Sequence, residues 1–446
     1  MKGSGTVRTM GSRDRDWRRG LRERLARRDA TVGVVGLGYV GLPLLVNLVR
    51  TGFRGVGIDL DSTRVGALAR DRSYIDDVPS EVLADLGGRL QASTSFEALA
   101  GCDAVAICVP TPLKDHDPDL SAIRAAAEGV ATVLRRGMLV ILESTTYPGT
   151  TEEIMAPILA ASGLVPVKDF ALAYAPERVD PGRGLDQLAK TARVVGGLTR
   201  GDGDLAATLY EQVASEVVVV SSPREAEMAK LIENTFRHVN IALVNELAFL
   251  SKDLDVDLWE AIRAAGTKPF GFMPFWPGPG VGGHCIAIDP SYLSWRVGQQ
   301  TGHRLNFVEH AQEVNSRMPG FVAQRISEAL NQRGLPVKDS RILGIGVAYK
   351  PDVADCRESP AIAVLERLSA SGARVAFHDP LVPSLELNGR VLKSRPLTPK
   401  VLQGADCVVV LTAHSSIDFG KVIEDASLVF DARGVTRGSR RNVVRL

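Results

Sequence analysis

Apolar runs of strand length alternate with helical patterns through the first half of the chain. Each run is bounded by glycine, proline or polar residues. Runs of this length are typical of buried strands, and the stretches between them repeat apolar residues at helical spacing. The strand-like runs occupy residues 31–35, 55–58, 103–109, 138–142 and 170–174, and helical patterns cover 44–50 and 121–135. This alternation predicts the parallel sheet and covering helices of a doubly wound α/β domain.

The last third of the chain repeats the pattern. Strand-like runs recur at 341–346, 374–377, 404–412 and 427–430, and the second and fourth of them are followed by Asp379 and Asp431. The sequence therefore predicts a second doubly wound domain.

Two long helical stretches separate these halves. The first begins with a capping sequence and a proline at 222–225 and continues to about residue 250, and the second covers 305–333, interrupted at Pro319. Lys230, Asn234 and His238 are spaced by four and share one helix face with Asn245 nearby. Such a stripe is usually solvated, but its apolar neighbours favour partial burial. Two long helices between α/β units also suggest a dimer surface.

Length and composition restrict the class of protein. A chain of 446 residues is expected to form two or three domains. Its formal net charge of +1 gives no reason to expect nucleic acid or a membrane surface as a partner, and no apolar run is long enough to span a bilayer. The five cysteines form no Cys-x-x-Cys pair and no metal-ligand spacing, so a reduced cytoplasmic protein without a metal is expected.

The first thirty residues are rich in arginine. Leu21 and Leu25 are four apart, but no continuous apolar segment of a secretory signal is present. A transit peptide or an RNA-binding arm would have this composition. We favour a solvated helix that leads into the first domain.

A glycine-rich turn follows the first predicted strand. Gly36, Gly38 and Gly41 form the pattern Gly-x-Gly-x-x-Gly, and Asp59 ends the next strand 23 residues after Gly36. These glycines would allow the tight turn, the approach of a pyrophosphate and close helix packing, while the aspartate would bind the adenosine ribose. Because Asp59 would repel a 2′-phosphate, NAD is predicted rather than NADP.

Polar groups stand where several predicted strands end. Thr111 follows the run at 103–109, Ser144 and Thr145 follow 138–142, and Glu177 follows 170–174. Ligands of open parallel sheets bind at the carboxyl ends of the strands. The repetition favours a binding site over ordinary loop chemistry.

A second glycine-rich stretch, 278–290, contains Cys285 and, four residues later, Asp289. Glycines let the backbone approach a ligand, so a tight loop here would present the thiol to a bound carbonyl group. The alternative is a turn that carries a buried, inert cysteine.

Taken together, these motifs resemble the nucleotide-sugar 6-dehydrogenase family, the UDP-glucose/GDP-mannose dehydrogenases, from about residue 31 to 431. They are Gly-Leu-Gly-Tyr-Val-Gly-Leu-Pro (36–43), Glu-Ser-Thr (143–145), Pro-Glu-Arg (176–178), Lys-x-x-x-Asn-Thr (230–235), Gly-Gly-His-Cys (282–285) and Tyr-Lys-Pro-Asp with Arg-Glu-Ser-Pro (349–360). Residues 267–275 look most like the branch that oxidises UDP-N-acetylhexosamines, especially UDP-N-acetylglucosamine.

The resemblance implies a four-electron oxidation of a sugar C6 alcohol to a carboxylate by two NAD molecules in turn. Cys285 would carry a thiohemiacetal and then a thioester. Lys230 would stabilise oxyanion charge, and Asp289 would act as a base. Thr145, Glu177 and Asn234 would position water and the sugar.

The remaining site residues are also carried over from the resemblance. Expected cofactor contacts are Gly36, Gly38, Tyr39, Val40, Gly41, Asp59, Arg64, Pro110, Thr111, Ser144, Thr145 and Arg357. Expected substrate contacts are Glu177, Arg178, Lys230, Asn234, Arg237, His238, Phe275, Gly280, Gly282 and Lys350.

The resemblance also completes the expected fold. It is an α/β chain with two Rossmann-like doubly wound domains joined by a central helical domain, and a homodimer or a higher homo-oligomer is expected. The predicted divisions are a basic extension (1–30), an NAD-binding domain (31–220), a central helical and dimerisation domain with the cysteine loop (221–333) and a UDP-sugar-binding domain (334–446).

Departures from the family pattern bear on the substrate. Ala287 stands where the family usually has proline, Trp276 where tyrosine is common, and Pro181 where the glucose branch has a second glutamate. The last difference argues against UDP-glucose, although UDP-glucose and UDP-N-acetylmannosamine stay as alternatives. A nucleotide-sugar-binding module without activity is disfavoured by Cys285, Lys230 and Asp289. The 6-phosphogluconate and 3-hydroxyacyl dehydrogenases share the plan but need no cysteine loop.

Overall fold

The computed structural model describes residues 12–114, 117–178, 182, 184–438 and 440–446, and at 12–16, 188, 284, 285 and 287 it describes the backbone alone. Pro181 and the side chain of Cys285 therefore lie outside the described part. The chain divides into two compact units, residues 1–232 and 233–446. Because the division falls inside one long helix, the predicted central domain is shared between the units, and the predicted domain boundaries stay predictions.

The first unit is built on a sheet of mostly parallel strands. Its strands are β1 (Thr31–Val35), β2 (Arg54–Ile58), β3 (Leu90–Ser93), β4 (Ala104–Ile107), β5 (Leu113–Lys114), β6 (Asp117–Pro118), β7 (Leu139–Leu142), β8 (Ala171–Tyr174), β9 (Arg193–Gly197) and β10 (Val217–Val220). The order in the main sheet is β10-β9-β8-β7-β4-β1-β2-β3, and β5 and β6 form a separate hairpin. All neighbours in the main sheet are parallel except β8 and β9.

Helices follow most of these strands. They are α1 (Ser12–Arg27), α2 (Gly41–Arg50), α3 (Ser62–Leu68), α4 (Ser80–Asp85), α5 (Ser121–Val133), α6 (Ala156–Ala160), α7 (Gln187–Lys190), α8 (Arg200–Tyr210) and the start of α9 (Pro223–Ser251), with a 3-10 turn at Phe96–Leu99 and a π-helical turn at Thr151–Met155. β4, β7 and β8 are buried along their whole length, as their apolar runs require.

The arginine-rich α1 is solvated on one face and buried on the other. Leu21 and Leu25 lie in the hydrophobic core of the first unit. Arg18 is also buried and pairs with Asp202 at 2.5 Å, while the indole nitrogen of Trp17 donates to the Lys168 carbonyl oxygen at 3.1 Å. The helix is thus part of the first unit rather than a free arm.

The second unit contains a smaller parallel sheet. Its strands are β11 (Arg341–Ile345), β12 (Arg374–His378), β13 (Ser384–Leu387), β14 (Arg390–Lys393), β15 (Cys407–Val410), β16 (Val429–Asp431) and β17 (Val443–Arg445). The sheet order is β12-β11-β15-β16-β17, and β13 and β14 form an antiparallel hairpin. Besides the rest of α9, its helices are α10 (Leu258–Ala265), α11 (His284–Thr301), α12 (Asn306–Asn331), α13 (Pro360–Ala370), α14 (Pro399–Gln403) and α15 (Phe419–Asp425). The predicted α/β fold with two doubly wound sheets is confirmed.

The helix α12 covers most of the predicted helical stretch 305–333, whereas α11 differs from the expectation because it begins inside the stretch 278–290 that was predicted to be a loop. Pro290 and Pro319 lie inside α11 and α12, which run through them. The cysteine therefore does not lie in a loop, since the loop ends at Gly283 (φ 81°) and Cys285 is the second residue of α11. None of the helices in the described part of the chain is long and apolar enough to cross a membrane.

Candidate active site

The turn after β1 has the geometry of a dinucleotide site. Gly36 has φ 89°, and a Cβ there would lie 2.6 Å from the Cys108 carbonyl oxygen. A Cβ at Gly41 would lie 1.9 Å from the Gly36 carbonyl oxygen, so the start of α2 requires glycine. At Gly38 a Cβ would meet no atom of the described residues within 4 Å. A turn packed on one side and open on the other, at a helix N-terminus, fits a pyrophosphate.

Asp59 is held beside this turn at the end of β2. Its Oδ2 accepts a hydrogen bond of 2.9 Å from the Leu37 amide and pairs with Arg64 at 3.2 Å. Its Oδ1 accepts 2.9 Å from the Asp61 amide. A carboxylate in this place is the group that binds the adenosine ribose of NAD. The residues present therefore fit NAD.

Other predicted cofactor residues lie at the same edge of the sheet. Tyr39 is exposed and Val40 half-buried beside α2, while Pro110 is exposed and Thr111 half-buried after β4. Ser144 follows β7, and its hydroxyl donates to the Val109 carbonyl oxygen at 2.8 Å. β1, β4 and β7 are neighbours in the sheet, so their carboxyl ends bring these residues together.

Glu177 stands at the carboxyl end of β8, the next strand of the sheet. Its Oε1 accepts 2.6 Å from the Arg178 amide, and its Oε2 pairs with Arg193 at 3.1 Å. Arg178 in turn donates to the Ala192 carbonyl oxygen at 2.6 Å, and Thr145 is half-buried after β7. Arg193 was not among the predicted site residues, because β9 was not predicted from the sequence. An arginine that opens the apolar run 193–197 was the available signal.

Lys230 is buried on α9 within the first unit. One turn earlier, Glu227 accepts hydrogen bonds from the Gly149 amide at 2.5 Å and from the amide and hydroxyl of Thr151 at 2.9 and 2.7 Å. Burial raises the pKa of Glu227 to about 7, against the lowering effect of these donors. The buried face of the start of α9 therefore carries two ionisable side chains, Glu227 and Lys230, next to the apolar Ala226 and Leu231.

The second unit brings Asn234 and Asp289 together. Both side chains are buried, and the Asn234 amide nitrogen donates to Asp289 Oδ2. Asp289 lies four residues after Cys285 on α11, which is one helical turn. The amide thus fixes the orientation of a buried carboxylate one turn from the cysteine position.

The polar stripe of α9 continues into the second unit as a buried amide cluster. Asn245 Nδ2 donates to Asn315 Oδ1 at 2.9 Å, and Asn245 Oδ1 accepts 3.0 Å from the Gly278 amide. Asn315 Nδ2 reaches the His238 carbonyl oxygen at 3.4 Å. Burial lowers the pKa of His238 to about 4, so this imidazole is neutral at neutral pH. The predicted partly buried stripe is in fact almost completely buried.

The loop before α11 packs closely against the segment before α13. A Cβ at Gly282 would lie 2.5 Å from the Glu358 carbonyl oxygen, and one at Gly283 would lie 2.7 Å from the Tyr349 ring. Gly280 has φ 137° and faces Pro360. A cavity of about 360 Å³ opens beside this loop, lined by residues that include His238, Val281, Asn315 and Glu358.

The remaining predicted contacts lie elsewhere in the second unit. Phe275 packs edge-to-face on Phe236, with ring centroids 5.7 Å apart, and Arg237 is exposed. The Lys350 ammonium lies 5.7 Å from the centre of the Tyr349 ring. Arg357 is paired with Asp355 at 2.6 Å. These residues keep their predicted roles as predictions.

The second sheet has its own aspartate after its second strand, and this carboxylate, like that of Asp59, accepts a hydrogen bond from the turn after the first strand of its sheet. Asp379 Oδ2 accepts hydrogen bonds from the amides of Val347 and Ala348 and bonds to His414 at 3.0 Å, and Oδ1 accepts from the Leu381 amide. Asp379 therefore serves to hold the turn after β11.

Within the described residues, no group of three His, Cys, Asp or Glu side chains could hold a metal ion.

In the first unit, the turn after β1 fits NAD, and acidic and hydroxyl groups lie along the same edge of the sheet. In the second unit, a buried carboxylate lies one helical turn from the cysteine at the start of α11. These features are those of an NAD-dependent dehydrogenase. Comparison with known proteins identifies the group. Residues 30–214, 224–317 and 343–438 match the NAD binding, central and UDP binding domains of the UDP-glucose/GDP-mannose dehydrogenase family. The chain belongs to this family and is an NAD-dependent UDP-sugar dehydrogenase.

Individual relatives cover almost the whole chain. A UDP-N-acetyl-D-mannosamine dehydrogenase from Escherichia coli (strain K12) is 37% identical over 92% of this chain and 99% of its own length. A UDP-N-acetyl-D-glucosamine 6-dehydrogenase from Salmonella typhi is 33% identical over 93% and 98%. The solved structure of a UDP-D-ManNAc dehydrogenase from Pyrococcus horikoshii superposes with a TM-score of 0.84 at 34% identity, covering 93% of this chain and 98% of that one.

Proposed function

We propose that this chain oxidises the C6 hydroxyl of a UDP-N-acetylhexosamine to the carboxylate, with UDP-N-acetyl-D-mannosamine as the first candidate. The observation that carries the proposal is the buried Asn234–Asp289 pair one helical turn from Cys285. A hydrogen bond to one carboxylate oxygen orients the side chain for proton transfer.

The names of the relatives guide the choice of sugar. The relative named for UDP-N-acetyl-D-mannosamine is 37% identical, and the one named for UDP-N-acetyl-D-glucosamine is 33% identical. The second name, together with the resemblance of residues 267–275, makes UDP-N-acetylglucosamine the second candidate. The two sugars differ in configuration at C2, far from the reacting carbon.

Each proposed residue has one task. NAD supplies the hydride acceptor in each of two oxidation steps. Asp289 takes the proton of the C6 hydroxyl, and Cys285 forms the covalent adduct with the resulting aldehyde. Lys230 stabilises the oxyanion, and Glu177 with Thr145 orients the water that hydrolyses the thioester. A carboxylate product requires this second step, which a single hydride transfer does not provide.

We also propose a homodimer formed through α9. Phe236, Leu243, Leu247 and Leu250 are each at least 43% exposed, although the sequence pattern had placed several α9 apolar residues in a core-like stripe. Their spacings of seven, four and three keep them on one face, the arrangement that packs against a second helix. A second copy of the same helix is self-complementary to this stripe. The cytoplasmic location stays a prediction.

A panel assay tests the proposed function. NADH formation is measured with UDP-ManNAc, UDP-GlcNAc, UDP-GalNAc, UDP-glucose and GDP-mannose, each with NAD and with NADP. We expect two NADH per sugar, highest kcat/KM with a UDP-N-acetylhexosamine, and little turnover with NADP because of the Asp59 charge. A preference for UDP-glucose or GDP-mannose would refute the substrate proposal.

Cys285→Ser tests the covalent step in the same assay. The serine oxygen is a poorer nucleophile and leaving group, so steady-state turnover should fall by about a thousandfold or more while NAD still binds. Cys356→Ser is the matched control, since Cys356 lies in the same unit and carries no proposed role. Near wild-type conversion to the acid by Cys285→Ser would exclude the covalent mechanism.

A further inference from the structure

A buried guanidinium lies between two carboxylates at the edge of the first sheet. Arg193 Nη1 pairs with Glu177 Oε2 at 3.1 Å, and Nη2 pairs with Glu143 Oε2 at 3.2 Å. The Arg193 and Glu143 side chains are 2% and 0% exposed, while that of Glu177 is 14% exposed. Arg193 therefore connects a fully buried acid to the one that reaches the surface of the proposed site.

The reversal of one strand explains how a cation reaches this edge. β9 runs antiparallel to β8, with Tyr174 opposite Gly196. Continuing that register by three residues sets Arg193 opposite Glu177. A parallel β9 would begin at the other end of the sheet, where the amino ends of the strands lie. The antiparallel pair thus brings the first residue of β9 to the edge where ligands bind.

The far side of the guanidinium is fixed by further contacts. The Tyr210 hydroxyl donates to Glu143 Oε1, and the Tyr210 ring centre lies 4.9 Å from the Arg193 guanidinium carbon. Arg193 Nη1 also donates to the Pro176 carbonyl oxygen at 3.1 Å. A guanidinium held on both sides has little freedom to turn.

Burial makes these contacts obligatory. An unpaired charge in such a place is costly, so Arg193 and its acids must stay paired in the folded protein. Burial raises the pKa of Glu143 to about 7, against the opposing effect of Arg193, and burial with Glu143 also raises the pKa of Tyr210. The Cys108 thiol faces the same cluster, and burial raises its pKa as well.

We propose that Arg193 is a positioning residue, which orients the Glu177 carboxylate for the proposed reaction and is itself held by Glu143 and Tyr210. The inference rests on the proposed function, because it assumes that Glu177 orients the hydrolytic water. Arg193 reaches two acids with its planar fork, which a single ammonium group cannot do. A positive charge without this planar geometry is therefore not enough to hold both carboxylates.

A double-mutant cycle between Arg193 and Glu177 tests this role. Arg193→Lys keeps the charge but loses one of the two bridges, so kcat per NAD-binding site should fall about tenfold or more, with little change in KM for the UDP-sugar. In a Glu177→Gln background the same change should have little further effect, because Arg193 acts through Glu177. Arg200→Lys is the control, since Arg200 pairs with Asp204 on the exposed surface of the same unit.

Tyr210→Phe is the second variant, for the case in which Arg193→Lys does not fold. It removes one hydroxyl and should lower kcat about threefold, again only when Glu177 is present. Losses that persist unchanged in the Glu177→Gln background, or kcat equal to that of wild type in either folded variant, would overturn the inference while leaving the proposed function intact. Wild-type kcat in Glu177→Gln itself would overturn both the inference and the role proposed for Glu177, whereas failure of the wild-type protein to oxidise any UDP-N-acetylhexosamine would overturn the proposed function.

Discussion

Replacing the buried Asn245 should lower the free energy of unfolding of the second unit by an amount that follows from its two hydrogen bonds. This residue lies on α9 and links two other segments of the second unit, α12 through Asn315 and the loop before α11 through the Gly278 amide. The side chain is completely buried. Replacement by alanine removes both hydrogen bonds at once.

The magnitude follows from the partners left behind. Asn245→Ala deprives the Gly278 N–H and the Asn315 amide oxygen of their partners at 3.0 and 2.9 Å. Each buried polar group left without a partner costs about 1–3 kcal/mol, so the loss of both partners should cost the second unit about 2–6 kcal/mol. The loop that precedes Cys285 also loses its anchor, so turnover should fall while NAD binding in the first unit is unchanged.

Urea unfolding followed by tryptophan fluorescence measures this loss. Trp259, Trp276 and Trp295 belong to the second unit and only Trp17 to the first, so the signal reports mainly on the unit that is changed. Asn331→Ala is the matched control, because Asn331 is exposed at the end of α12. Its expected effect is below about 0.5 kcal/mol.

The free energies of unfolding of Asn245→Ala and Asn331→Ala are then compared. If Asn245→Ala unfolds within about 0.5 kcal/mol of Asn331→Ala, the hydrogen bonds to Gly278 and Asn315 do not stabilise the second unit and the reasoning is wrong.

Two further predictions concern the first unit and the dimer. Because the folded pKa of Glu227 is raised to about 7, its contribution to stability is full below the unfolded value of 4.5 and is lost as pH rises through about 7. The unfolding free energy of wild type relative to Glu227→Gln should therefore fall by up to roughly 3 kcal/mol between pH 4 and pH 8, and a constant difference would contradict this. Leu247→Asp should shift the sedimentation of the protein toward the monomer, whereas Leu381→Asp, at a residue with the same 43% exposure, should not. Equal behaviour of the two variants would refute the α9 interface.

The sequence alone predicted those features whose conformation depends only on the residues within one short segment. The glycines at 36, 38 and 41 can be read directly, since the turn they allow depends on their lack of a Cβ. The capping sequence before α9 also predicted a real helix start, with the Arg224 amide donating to the Ser222 hydroxyl at 3.2 Å. The polar stripe of α9 could be recognised as unusual from its apolar neighbours alone.

Which side chains of the site contact one another depends on the tertiary structure and could not be predicted from the sequence. Arg193 reaches Glu177 because β9 is antiparallel to β8, and strand direction depends on partners that are distant in sequence. Asn234 meets Asp289 in a region where the sequence pattern predicted a loop, because α11 already begins at His284 and carries Asp289 in its second turn. The same holds for the polar stripe and the apolar stripe of α9. The sequence pattern defines two faces of the helix, but only the packing of other elements determines which face is buried.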